Sequence, residues 1–113
     1  MEQPSTILRE KLSSITLSGA PTRIDGYRVV LKPGQTSGLH HHPGGVVGVV
    51  TSGTVQFSCG DEVRQLEAGD AFVEPPRVTV ARFDNASSHE PATFIAYYPL
   101  VEGMELFVHG EAS

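Results

Sequence analysis

Residues 34–45 read Gly-Gln-Thr-Ser-Gly-Leu-His-His-His-Pro-Gly-Gly, so three of the chain's five histidines stand side by side. In an extended strand successive side chains point to opposite faces, which puts His40 and His42 on one face and His41 on the other. Two neutral imidazoles at that spacing can reach one divalent ion, with iron, manganese, nickel and zinc as candidates. The plain alternative is a glycine-bounded loop that is rich in histidine. His89 lies in the turn-like run Ser87-Ser88-His89-Glu90-Pro91 and reads as a surface histidine, as does His109 near the end of the sequence.

The elements that position these residues are short strands. Tyr27–Leu31 forms a first strand closed by Pro33-Gly34, and the β-branched run Val46–Val50 suits a strand buried on both faces. Thr54–Ser58 alternates polar and apolar, Gly60-Asp61-Glu62 turns into Val63–Leu66, and Ala68-Gly69-Asp70 turns into Ala71–Glu74. Pro75-Pro76 breaks that ladder, because proline has no amide hydrogen to donate. Val78–Phe83 and Thr93–Tyr98 are strand-like on either side of a polar loop over residues 84–91, and Leu106–Val108 reads as a short edge strand. Before the strands, Ser5 or Thr6 can cap a short helix over Ile7–Leu12, which leads into an extended arm. The organisation expected is therefore an N-terminal helix and arm over residues 1–24 and one all-β sandwich or barrel over 25–113.

Composition excludes other classes. A net charge of −5 with scattered lysines and arginines offers no nucleic-acid surface and no anionic-membrane surface. No stretch approaches the roughly 20 apolar residues of a membrane-spanning helix. A single cysteine, Cys59, cannot form an internal disulfide and fits a reducing, cytoplasmic setting. It reads as a buried strand residue.

The chain resembles the cupins, small double-stranded β-helix or jelly-roll barrels. Their first motif, G-x5-H-x-H-x3-E-x6-G, is matched in register by Gly34, His40, His42 and Gly53. Their second, G-x5-P-x-G-x2-H-x3-N, is matched by Gly69 and Pro75. The resemblance spans residues 27 to 98. It also breaks at informative places: the motif glutamate falls on Val46, the second-motif glycine on Arg77, its histidine on Val80, and its asparagine on Asp84, or on Asn85 with a one-residue slip.

The family's usual three histidines and one glutamate are thus reduced to His40 and His42. Glu74 shares a face with Asp70 and Phe72 by strand alternation. It is the best remaining candidate for company, as a third metal ligand, a general base or the partner of a pocket arginine; the bland reading is an edge-strand carboxylate in water. Val46, Gln56, Phe72, Val80 and Arg82 are the expected pocket lining, and one of Tyr97 and Tyr98 borders the cavity while the other packs outside. The resemblance implies a small molecule bound in the barrel, with a divalent metal and dioxygenase-, isomerase- or lyase-type chemistry. It equally admits a metal-free cupin that binds a ligand without turnover. It further implies a homodimer.

Overall fold

The computed structural model describes residues 7–112. Strict alternation of side chains writes the architecture. In Thr54–Cys59, Val55, Phe57 and Cys59 turn inward and are buried, while Thr54, Gln56 and Ser58 lie half-buried on the other face. Nine strands follow in chain order: β1 (Arg23–Leu31), β2 (His40–His41), β3 (Val46–Ser52), β4 (Thr54–Cys59), β5 (Glu62–Glu67), β6 (Ala71–Glu74), β7 (Val80–Asn85), β8 (Ala92–Leu100) and β9 (Val108–His109). They form two antiparallel sheets, β1-β8-β3-β6 and β5-β4-β7-β2-β9, and no helix is present among the described residues. This is the all-β organisation that the strand pattern predicts, in the jelly-roll form that the family resemblance implies.

Both sheets turn apolar side chains into the space between them. Phe57, Phe72, Phe83 and Phe94 meet there with ring centroids 4.6–6.1 Å apart, mostly edge-on or tilted, the arrangement aromatic quadrupoles favour. Gly48 is required at its place in β3. A side chain there would run into the Phe72 ring and the Ile95 carbonyl, so its absence lets Phe72 lie flat across the strand.

Two expectations need correction. The segment Ile7–Leu12 is not helical, and Ile7, Leu8 and Leu12 are exposed. Six residues close too few hydrogen bonds to offset helix nucleation, and the exposed Ile7, Leu8 and Leu12 bury no apolar face to help. Its expected caps, Ser5 and Thr6, lie outside the described residues. The second correction concerns β7. Ser58 pairs with Arg82 but Cys59 pairs with Val80, so Ala81 has no partner on β4 and forms a bulge. The extra residue resets the alternation, so Val80 and Phe83 face inward and Arg82 faces out.

That bulge also settles the position of the motif asparagine. Asn85, one residue later than the unbulged spacing, is buried. Its side-chain amide donates to the carbonyls of Leu31 (3.2 Å), Lys32 (3.1 Å) and Glu90 (2.7 Å), and its oxygen accepts from Ser87 N (2.9 Å). It thereby ties the end of β1 to the loop after β7. At the position of the motif glycine, Arg77 adopts φ 66°. Val78 N donates to Pro75 O at 3.2 Å, so Pro75–Val78 is a turn with proline at its second position and a left-handed residue at its third, the place glycine favours.

Candidate metal centre

The site lies in the barrel, where β2 leaves one sheet and β3 enters the other. His40 and His42 flank His41 on alternating faces, and both are buried. Glu74, the last residue of β6, is buried too, and it stands directly opposite Val46 in the β3–β6 register. Cross-strand neighbours bring their β-carbons to about 5 Å. The carboxylate absent from Val46 is therefore supplied from the adjoining strand. His40, His42 and Glu74 each present a ligand atom, and these atoms lie within 4.8 Å of one another.

Backbone carbonyls fix both rings. His40 Nδ1 is 2.8 Å from Gly38 O, and His42 Nδ1 is 2.8 Å from Leu106 O. A carbonyl can only accept, so each Nδ1 carries the hydrogen and each Nε2 keeps its lone pair free for a ligand role. Burial of the imidazole is the largest influence on His40 and lowers its pKa below the ordinary histidine value, which favours the neutral ring.

Glu74 completes the group with an instructive conflict. Its Oε1 lies 3.1 Å from His42 Nε2, while Oε2 is buried with no hydrogen-bond partner. A carboxylate oxygen facing a bare imidazole nitrogen needs a proton or a cation between them, and a buried oxygen without a partner is costly. Two neutral imidazoles and one carboxylate, with open positions, form a donor set suited to a first-row divalent metal. The residues present fit such an ion.

A cavity of about 260 Å³ opens beside this group. Val46 and Phe72 line it. Val80 is fully buried directly opposite His40, but in the hydrophobic core and not on the cavity wall. Gln56 faces away from the barrel, because Val55 and Phe57 take the inward positions, and its amide donates to Gln65 Oε1 at 3.2 Å. Arg82, turned out by the Ala81 bulge, is 63% exposed and sits 3.4 Å from Asp84, so it is no partner for Glu74.

Other residues of the site carry weaker sequence signals. Tyr98 is the tyrosine that borders the cavity, with Tyr97 exposed on the outer face. Gln35, Thr36 and Ser37, inside the glycine-bounded lead to the histidines, also line it. Phe107 was without a signal: its ring centroid stands 4.7 Å from that of His40 and 5.9 Å from that of His42. The segment carrying it is held by β9, which pairs with β2. His41 points out of the group and bonds Gly110 O through Nδ1 at 3.0 Å; His89 and His109 are exposed.

A two-sheet antiparallel barrel with His40 and His42 at and just after β2, beside Glu74, defines a jelly-roll protein with a group of residues that could hold a metal. The chain belongs to the cupin family, whose domain profile matches residues 27–98. Among solved structures, an oxalate oxidase bound to the substrate analogue glycolate matches with a TM-score of 0.61 at 22% identity, over 75% of this chain and 45% of that one. A cupin-like protein from Thermotoga maritima matches with a TM-score of 0.62 at 26% identity, over 79% of this chain and 65% of that one. A sugar phosphate isomerase of the cupin superfamily from Silicibacter pomeroyi matches at 0.57 and 25% identity, over 67% and 50%. This chain thus spans from about half to two thirds of the length of these proteins. No curated protein matches the sequence significantly.

Proposed function

We propose that this cupin binds a divalent metal through His40 Nε2, His42 Nε2 and a Glu74 oxygen, and acts there on a small molecule held in the barrel. The observation that carries the reading is the convergence of these three buried groups, with one Glu74 oxygen lacking any partner. When bound, the metal would supply Lewis acidity or oxygen-activating chemistry, and three protein donors leave coordination positions for a substrate. Dioxygenase, isomerase and lyase reactions all draw on such a centre, and the barrel alone does not select among them.

The chain's own residues have separable tasks. The Gly38 and Leu106 carbonyls hold the two imidazoles in the tautomer and orientation a metal needs. Phe107 covers both rings and keeps water from that side. Glu74 Oε2, buried without a partner, is placed to accept a proton from a bound molecule.

Elemental analysis of protein purified without a histidine tag tests this. About one metal per chain in the wild type, lost in His40→Ala and His42→Ala, is the expected result. Substoichiometric metal, unchanged in the variants, overturns it in favour of a metal-free cupin that binds a ligand without turnover.

The free thiol of Cys59 supports a cytoplasmic setting, and no helix among the described residues is long and apolar enough to cross a membrane. The outer face of the β1-containing sheet supports a twofold dimer. Ile24, Val30 and Tyr97 share that face by register and are exposed. Such faces are polar in sheets that meet water alone. Sedimentation showing a monomer at micromolar concentration would remove the dimer.

A further inference from the structure

Resting on the metal reading for the direction in which a ligand's polar end points and for the net charge at that end, we infer that the barrel takes an uncharged, ring-sized apolar molecule with one polar substituent, and not a small dianion. Size comes first. A cavity of roughly 150 Å³ accommodates benzene, so about 260 Å³ accommodates one ring with a short substituent.

The walls come second. Val29, Leu31, Phe72, Phe83, Phe94 and Tyr98 surround that volume and offer aromatic edges and faces to a ring. Among the described residues lining the cavity, the one charged side chain outside the histidines is Glu74, and no lysine or arginine is present. The two arginines nearest in sequence to the lining strands are spent elsewhere. Arg82 is exposed beside Asp84, and Arg28 is exposed on the outward-facing side of β1.

Charge decides between ligand classes. A divalent metal balanced by Glu74 retains one positive charge, enough for one anionic group. A dicarboxylate or a phosphate monoester brings a second negative charge into a chamber whose lining offers only the uncharged Gln35, Thr36 and Ser37 beside its apolar walls, with no lysine or arginine to meet it. A neutral ring meets no such penalty. Its hydroxyl or carbonyl would turn toward His40, His42 and Glu74, and its ring would occupy the phenylalanine-lined end.

Calorimetric titration of metal-free and Mn(II)-loaded protein with benzyl alcohol, oxalate and glucose 6-phosphate tests this. Benzyl alcohol is expected to bind both forms, at least tenfold tighter than either dianion. Val29→Trp, which adds bulk at a lining position outside the His40, His42 and Glu74 group, is expected to weaken benzyl alcohol at least tenfold while metal uptake is retained. If that variant does not fold, Val29→Phe serves. A dianion that binds the Mn(II) form more tightly than benzyl alcohol overturns the inference, as does benzyl alcohol binding that the cavity-filling variant leaves unchanged. The two readings fail differently: without a metal site the protein takes up no Mn(II) yet still binds benzyl alcohol, whereas with the wrong ligand class it takes up Mn(II) and ignores the alcohol.

Discussion

Glu74 Oε1 stands 3.1 Å from His42 Nε2, a nitrogen that bears no hydrogen in the neutral ring, where Nδ1 donates to Leu106 O. Two electron pairs face one another inside a barrel, and the second carboxylate oxygen has no partner. The arrangement is unfavourable by itself and becomes favourable around a cation, which gives the site a signature in stability as well as in binding.

Glu74→Gln should therefore invert an order. Without metal, the variant removes a buried, incompletely paired carboxylate and should be more stable than the wild type by about 1–2 kcal/mol. With saturating Mn(II) or Zn(II), the wild type should gain more and melt higher, because ligand binding to the native state adds stability in proportion to affinity. Thermal melts with and without chelator check this; a variant equally stabilised by metal would remove Glu74 from the ligand set.

Asn85 is the structural hub of the second motif. Asn85→Ala deletes four hydrogen bonds and strands buried carbonyls, at a cost of about 3 kcal/mol. Urea denaturation measures it, and a loss below about 1 kcal/mol would show that water replaces the amide.

Arg77 holds a left-handed conformation that costs a residue with a β-carbon roughly 1 kcal/mol. Arg77→Gly should relieve that strain and, after the added freedom of the unfolded chain, stabilise the protein by at most about 0.5 kcal/mol. A lower denaturation midpoint would mean that the arginine side chain contributes contacts worth more than the strain.

Burial pushes the Cys59 thiol up to about 12 from 9.0, with the Glu74 and Glu62 charges adding to the shift. The folded state holds this proton more tightly than the unfolded state, so its contribution to stability is complete below pH 9 and is lost as pH rises toward 12. The melting temperature should fall between pH 9 and 11, and less steeply in Cys59→Ala. At pH 8 iodoacetamide should alkylate the native thiol roughly a thousandfold more slowly than the unfolded one, following the thiolate fraction.

Most of the barrel was legible because alternation and turn residues are local. β6 spans Ala71–Glu74 as read, and β3, β4 and β5 differ from the reading by one or two residues at an end. Motif spacing made His40 and His42 readable, whereas strand parity put Glu74 on one face with Asp70 and Phe72 and left open whether that face met the pocket or water. What was not legible depends on pairing between distant segments. The Ala81 bulge is visible only against β4, and it alone turns Arg82 out and moves the motif asparagine to Asn85. The role of Val46's neighbour depends on the β3–β6 register, and that of Phe107 on β9 returning to β2. Gln56 was a choice between two faces that parity cannot rank without knowing which one is covered.

The carbonyl that orients His42 belongs to a residue 64 positions further along the chain. On a ribosome the histidines emerge well before Leu106, and the barrel strands β3 to β8 are made in the interval. Until that late segment arrives, the His42 ring lacks the carbonyl that fixes its orientation in the finished protein. The proposed metal site therefore reaches its final geometry only after the chain through Leu106 has been made.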